Sequence, residues 1–269
     1  MSKRYETVNL DVEDGVAVLT LNRPDKLNSF SAGMHEDLRA ALAHVDGAIR
    51  APQPVRALLL TGAGRAFCAG QDLSERQRAP GAPPPDLGAS LRENYSPLIM
   101  RISQLPIPVV AAVNGVAAGS GANLALACDF VVAARSARFL QSFCRIGLIP
   151  DAGGTWMLPR LVGMARARGL TFLGEALSAD EALRWGLIWQ VVEDEQLMLS
   201  AMALVRRLAE QATRGLALQK QAFAASSGNS LEEQLELEAR LQAEAGRTAD
   251  YAEGVAGFFE KRAPHFRGQ

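Results

Sequence analysis

What is scarce in this chain narrows its chemistry first. Cysteine and histidine each occur only three times in 269 residues. Cys68, Cys128 and Cys144 have no metal-type spacing and leave an odd count. That argues against a disulfide framework and leads us to expect a reducing, cytoplasmic setting. His35, His44 and His265 belong to no metal-binding pattern, so packing or surface roles are expected for all three and no metal site is expected. Net charge is nearly absent at a formal −1, which leaves no global field for a nucleic-acid backbone or an anionic membrane. Neither class of partner is expected. Long apolar runs are also missing: the longest, such as "VVAAV", fall well short of a membrane span. The opening "MSKRYETVNLDVEDG" is polar and carries no apolar signal core. Neither phosphate-cradling glycine fingerprint is present, since "AAGSGANLA" (117–125) lacks the third glycine of G-x-G-x-x-G.

What is present is core. The chain is 48% hydrophobic and long enough to bury a full-sized interior. "VAVLTLN" (16–22) reads as a strand, and "VRALLLTG" (55–62) and "IPVVAAVNG" (107–115) are continuous apolar runs of strand length ended by glycine. Such runs suit a sheet covered by helices on both faces. The spacing in "MHEDLRAALAHVDGAI" (34–49) predicts a helix capped by Ser31. "RQRAPGAPPPDLG" (76–88) reads as a mobile surface loop. From about residue 160 the pattern turns helical, with capping-box signatures at Ser178/Glu181 and Ser230/Glu233, an amphipathic stretch at 231–245 and a last helix at 251–262. We expect an α/β core over 1–200 and a helical region over 201–269.

Two segments share a design. "GAGRAFCAGQDL" (62–73) and "NGVAAGSGANLALACD" (114–129) each follow a buried strand, and each is rich in glycine and alanine. Small side chains let a ligand approach backbone N–H groups, and two converging N–H groups form an oxyanion hole. Tight helix-on-strand packing needs small residues equally, and pattern alone leaves both readings open. Cys68 has no base in its motif, which argues against a nucleophile. In "GLIPDAGGTW" (147–156) one carboxylate, Asp151, stands in an otherwise apolar or small stretch. It either caps the helix that follows or moves protons.

These segments, with "LNRPDKLNSF" (21–30), "GLIPDAGGTWMLPR" (147–160) and the ending "FFEKRAPHF" (258–266), closely resemble the enoyl-CoA hydratase/isomerase, or crotonase, superfamily over essentially the whole chain. Within it the chain looks most like the isomerases of phenylacetate degradation that act on ring-epoxidised phenylacetyl-CoA. The resemblance implies an α/β fold, a spiral of ββα units, and a C-terminal helical region that trimerises, often as a dimer of trimers. It implies an acyl-CoA substrate and no separate cofactor. The oxyanion donors would be the backbone N–H groups of Gln71 and Ser120. CoA would meet the main chain around Lys26, Ala69, Asp72 and Leu73. Asn28, Ala66, Cys68, Gly70, Val116, Gly119, Asn123 and Phe143 would complete the substrate site, and Phe258 and Lys261 would help hold CoA, often in a neighbouring subunit.

The departures matter as much. Hydratases of the superfamily carry glutamates at the positions of Asn123 and Phe143, and neither residue here transfers a proton that way. Asp151 stands where isomerases and a dehalogenase of the superfamily carry their working carboxylate. The resemblance therefore implies an isomerase with Asp151 as acid/base. A dienoyl-CoA isomerase, a dehalogenase using Asp151 as nucleophile, or a non-catalytic acyl-CoA-binding protein are the alternatives.

Overall fold

Continuous apolar runs in the sequence become the inner strands of a sheet covered on both faces. The computed structural model describes residues 1–77 and 85–269. The chain opens with an antiparallel meander of β1 (Ser2–Arg4), β2 (Val8–Glu13) and β3 (Val16–Leu21). It crosses through α1 (Ala32–Ile49) and returns in β4 (Ala57–Gly62), parallel to β3. The path then repeats. β4 is followed by β5 (Ala66–Cys68) and the helices α2 (Leu87–Ser90) and α3 (Ser96–Gln104). β6 (Val109–Val113) is followed by β7 (Val116–Ala118) and α4 (Ser120–Leu126). β8 (Phe130–Ala134) is followed by β9 (Arg138–Leu140) and α5 (Gly154–Leu173). Each turn adds one strand to each of two sheets and then a helix, which is the expected spiral of ββα units.

Two short strands, β10 (Ala176–Ser178) and β11 (Gln190–Val192), flank α6 (Ala179–Arg184) within the stretch where the sequence pattern turns helical. The large sheet runs β1-β2-β3-β4-β6-β8-β11 and the small one β10-β9-β7-β5. From β3 to β11 the large sheet is parallel, and every residue of β4 and β6 is buried, as double coverage requires. α7 (Leu197–Ala209) lies on this sheet and buries Leu197, Ala201, Val205 and Ala209 in the main core. The expected boundary at residue 200 therefore falls inside a core helix. The peripheral region is α8 (Thr213–Ser226), α9 (Leu231–Ala245) and α10 (Ala249–Glu260), with a small core of its own around Leu218, Leu237 and Leu241.

Local signals set the helix starts. The Ser31 hydroxyl accepts from Met34 N at 3.2 Å, as expected of a cap. At α9 both halves of the capping box form: Glu233 N donates to Ser230 Oγ, and Ser230 N donates to the Glu233 carboxylate. At α6 only the serine half forms, because the Glu181 carboxylate accepts from the Ser178 hydroxyl instead of the backbone. The surface-loop expectation for 76–88 falls mostly on residues 78–84, which lie outside the described residues; its two ends are a 3-10 turn, Leu73–Arg76, and the start of α2.

Membership of α7 in the core has a measurable consequence. Leu197→Ala should cost about 2–5 kcal/mol of unfolding free energy, the range for a buried leucine. Urea unfolding followed by circular dichroism checks it. A loss under about 1 kcal/mol would place α7 with the peripheral helices.

Candidate active site

The site begins where β5 and β7, parallel neighbours in the small sheet, end side by side. Their continuations touch. Gly70 has φ +87°, and a β-carbon built on it would sit 2.8 Å from the Ala118 carbonyl oxygen and 3.7 Å from Ser120 N. A β-carbon on Gly121 would sit 2.7 Å from Cys68 Sγ. Only glycine permits this approach.

The same approach presents two N–H groups. The Gly70 carbonyl accepts from Phe30 N at 2.7 Å. In a trans peptide the following N–H points opposite to the carbonyl, so the Gln71 N–H faces away from Phe30. Likewise the Gly119 carbonyl accepts from Asn123 N at 3.1 Å, leaving the Ser120 N–H directed out of the start of α4. Neither N–H has an acceptor among the described residues, and both residues line one cavity of about 540 Å³. Tight packing and N–H presentation, alternatives in the sequence, are one arrangement here.

Asp151 lines the same cavity. It does not cap α5: the N-cap is Gly153, in the left-handed region, and no side chain caps that helix. The Asp151 carboxylate instead accepts from the Ser120 hydroxyl at 2.6 Å. Its backbone carbonyl is held by Asn123 Nδ2 at 2.8 Å and Gly154 N at 2.8 Å. Burial raises the carboxyl above its usual range, and the Ser120 hydrogen bond opposes that rise only in part. Such a group holds and releases a proton more readily near neutrality than an exposed aspartate does.

The other expected residues separate into three groups. Ala69, Gly70, Leu73, Gly119 and Phe143 line the cavity with Gln71, Ser120 and Asp151. Asn28, Ala66, Cys68 and Asn123 are fully or almost fully buried behind it. Asn28 Nδ2 donates to the Ala63 and Ala66 carbonyls and so shapes the first turn. Asn123, expected at the substrate, supports the wall from behind: it binds the Asp151 carbonyl and accepts from Gln141 Nε2 at 2.8 Å. Burial pushes the Cys68 thiol up to about 12, against any nucleophilic role. Val116 belongs to β7 below the turn and is absent from the lining. Asp72 pairs with Arg23 at 3.0 Å and accepts from Ser74 N, which fixes the turn after Gln71. Lys26, Phe258 and Lys261 are exposed and lie outside the cavity of their own chain.

Sequence reasoning missed Tyr95, Arg76 and the side chain of Ser120. Tyr95 and Arg76 also line the cavity, and both donate to Gln71 Oε1. No motif marks them; the one available signal was a tyrosine at an inward position of the otherwise amphipathic stretch "LRENYSPLIM". Among the described residues, Asp151 is the only carboxylate in the lining, and most of the remaining wall is apolar, including Leu140, Phe143, Leu148 and Ile149.

Comparison with known proteins shows the family. The family model described as enoyl-CoA hydratase/isomerase matches residues 11–269. The chain is 55% identical to a 1,2-epoxyphenylacetyl-CoA isomerase of Escherichia coli (strain K12), covering 96% of this chain and 97% of the relative. It is 50% identical to a probable enoyl-CoA hydratase of Rhodobacter capsulatus, covering 98% and 99%. The crystal structure of enoyl-CoA hydratase from Bacillus anthracis superposes with a TM-score of 0.90 at 34% identity, covering 98% of this chain and 100% of that one. The fold is thus the crotonase fold.

The raised carboxyl carries its own test. Because the folded state disfavours ionised Asp151, the stability of its protonated form is complete below the ordinary carboxylate range and is lost as pH rises through the raised value. Asp151→Asn cannot ionise. Its melting temperature relative to wild type should be more favourable at neutral pH than near pH ~4. Equal differences at both pH values would contradict the buried, charge-disfavouring environment.

Proposed function

The chain belongs to the enoyl-CoA hydratase/isomerase family, and from that premise we propose that it is an acyl-CoA isomerase in which Asp151 moves a proton on the acyl group. The observation that carries the reading is that, among the described residues, one carboxylate lies beside two N–H groups without an acceptor. The carboxylate takes a proton from the carbon next to the thioester. Charge then develops on the thioester oxygen between Gln71 N–H and Ser120 N–H, where each donor is typically worth about 3 kcal/mol in the transition state. The resulting acid returns the proton further along the conjugated system, so nothing is gained or lost overall. One acid/base group suffices, and the proton chemistry calls for no metal or redox cofactor.

For substrate we propose 2-(1,2-epoxy-1,2-dihydrophenyl)acetyl-CoA, isomerised to its oxepin form in phenylacetate degradation. The identity to the Escherichia coli isomerase supports that choice. The same machinery serves a 3-enoyl to 2-enoyl shift. The name of the Rhodobacter capsulatus relative favours hydration as a second reading. Hydration needs one group to activate water and another to protonate carbon. Phe143 brings an apolar ring to the cavity, and Asn123 is buried behind it, so the second group is missing from the described lining.

A trimer or dimer of trimers built through the C-terminal helices is part of the proposal. Phe258 and Phe259 are 79% and 77% exposed on α10, and covering each is worth roughly 1.5–3 kcal/mol. In such an assembly Phe258 and Lys261 meet CoA bound to a neighbouring copy. The three free cysteines support a reducing, cytoplasmic location, and no described helix is long and apolar enough to cross a membrane.

Asp151→Asn should lower isomerase turnover by roughly 100-fold or more, since Asn cannot carry the proton. Chromatography of the products measures it; near-wild-type turnover would refute the mechanism. Wild-type hydration of a 2-enoyl-CoA at a rate matching isomerisation would favour the second reading. Light scattering at micromolar concentration should give a trimer or hexamer, and a stable, active monomer would overturn the assembly proposal.

A further inference from the structure

The side chain of Gln71 is consumed entirely within the protein. Its Oε1 accepts from the Tyr95 hydroxyl and from Arg76 Nη2 at 3.3 Å. Its Nε2 reaches the Phe30 and Asp72 carbonyls at 3.4 and 3.3 Å, both long contacts. The grip is therefore on Oε1. Both gripping groups are themselves held. Arg76 Nη2 also donates to Ser90 Oγ at 2.9 Å. Tyr95 is 3% exposed, and its ring packs edge-on against His35 at 4.4 Å and Phe30 at 5.4 Å between centroids.

The backbone around Tyr95 is unusual too. Leu91–Tyr95 is a π-helical turn between α2 and α3, and such turns concentrate at functional sites. His35, wedged between Phe30 and Tyr95, is 96% buried, and neither ring nitrogen has a partner among the described residues. An unpaired buried imidazole is costly, and here it serves as a flat ring behind Tyr95. Burial lowers His35 to about 4, so it stays neutral. Burial, followed by the nearby Asp151 charge, raises Tyr95, so its hydroxyl remains a donor.

We propose that Tyr95 and Arg76 are positioning residues for the oxyanion hole: by clamping the Gln71 side chain they hold the Gln71 N–H where the thioester oxygen develops charge. The inference rests on the isomerase reading given above. The Phe30–Gln71 bridge sets the direction of that N–H. The clamp holds the side chain of the same residue through Oε1, beside Phe30. Catalysis is sensitive to small displacements of such donors, whereas ground-state binding of a long CoA ester is not.

The probe is cinnamoyl-CoA, a conjugated thioester whose ultraviolet absorption moves to longer wavelength when its carbonyl is polarised. Wild-type protein should shift the bound probe. Tyr95→Phe should bind it within about twofold, melt like wild type and give a clearly smaller shift. Isomerase kcat should fall about tenfold with KM nearly unchanged. In a Gln71→Ala background, where the backbone N–H remains but the grip is gone, adding Tyr95→Phe should change nothing further.

A full shift and full kcat in Tyr95→Phe would overturn the inference and leave the isomerase reading standing. A Tyr95→Phe loss that persists in Gln71→Ala would also overturn it, because Tyr95 would then act on the substrate directly. A loss that tracks a lowered melting temperature would assign Tyr95 a purely structural role. Absence of any shift with wild-type protein would remove the oxyanion hole itself, and the inference with it.

Discussion

Two loops pressed together at the ends of β5 and β7 are the constraint on which the rest of this molecule depends. Gly70 lies against Ala118, and Gly121 lies against Cys68, at separations no side chain permits. That contact brings Gln71 and Ser120 to one cavity wall, and the bonds made by the preceding carbonyls turn both N–H groups outward. β4 and β6 lead directly into β5 and β7, so the large sheet anchors both strands from behind. Its inner strands are buried throughout, so the loops ride on a rigid base.

The second ingredient is a carboxylate under opposing influences. Burial makes ionised Asp151 unfavourable, and the Ser120 hydroxyl partly restores the balance. Ser120 thus couples the two halves of the site, with its N–H facing the cavity and its hydroxyl on Asp151. Asn123 supports the same segment from behind through the Asp151 carbonyl. An asparagine at this position is thus a strut for the segment that carries the one carboxylate of the described lining.

Much of this was legible beforehand. The apolar runs over 55–62 and 107–115 became β4 and β6, and the Ser31 and Ser230 caps formed. Continuous burial and capping are local properties, so local sequence carries them. Residue 200 was read as the boundary; α7, which spans it, packs in the main core while α8 and α9 build a small one, a difference that only packing reveals. β10 and β11 are three residues each, too short for any periodicity. At the site, the glycine spacings revealed close approach but not its purpose. Tyr95 and Arg76 escaped notice because their significance lies in a partner, Gln71, that is 24 and 5 residues away and invisible to any motif.

The central claim is that Asp151 and the two N–H groups together enolise a CoA thioester. Exchange at the α-carbon of phenylacetyl-CoA in deuterium oxide, followed by proton NMR, reads that step without any need for the full reaction. The account predicts that wild-type protein washes deuterium into the α-methylene and that Asp151→Asn, binding the ester equally well, does not. Exchange by the variant at the wild-type rate would mean that the carboxylate does not move the proton, and the account would be wrong.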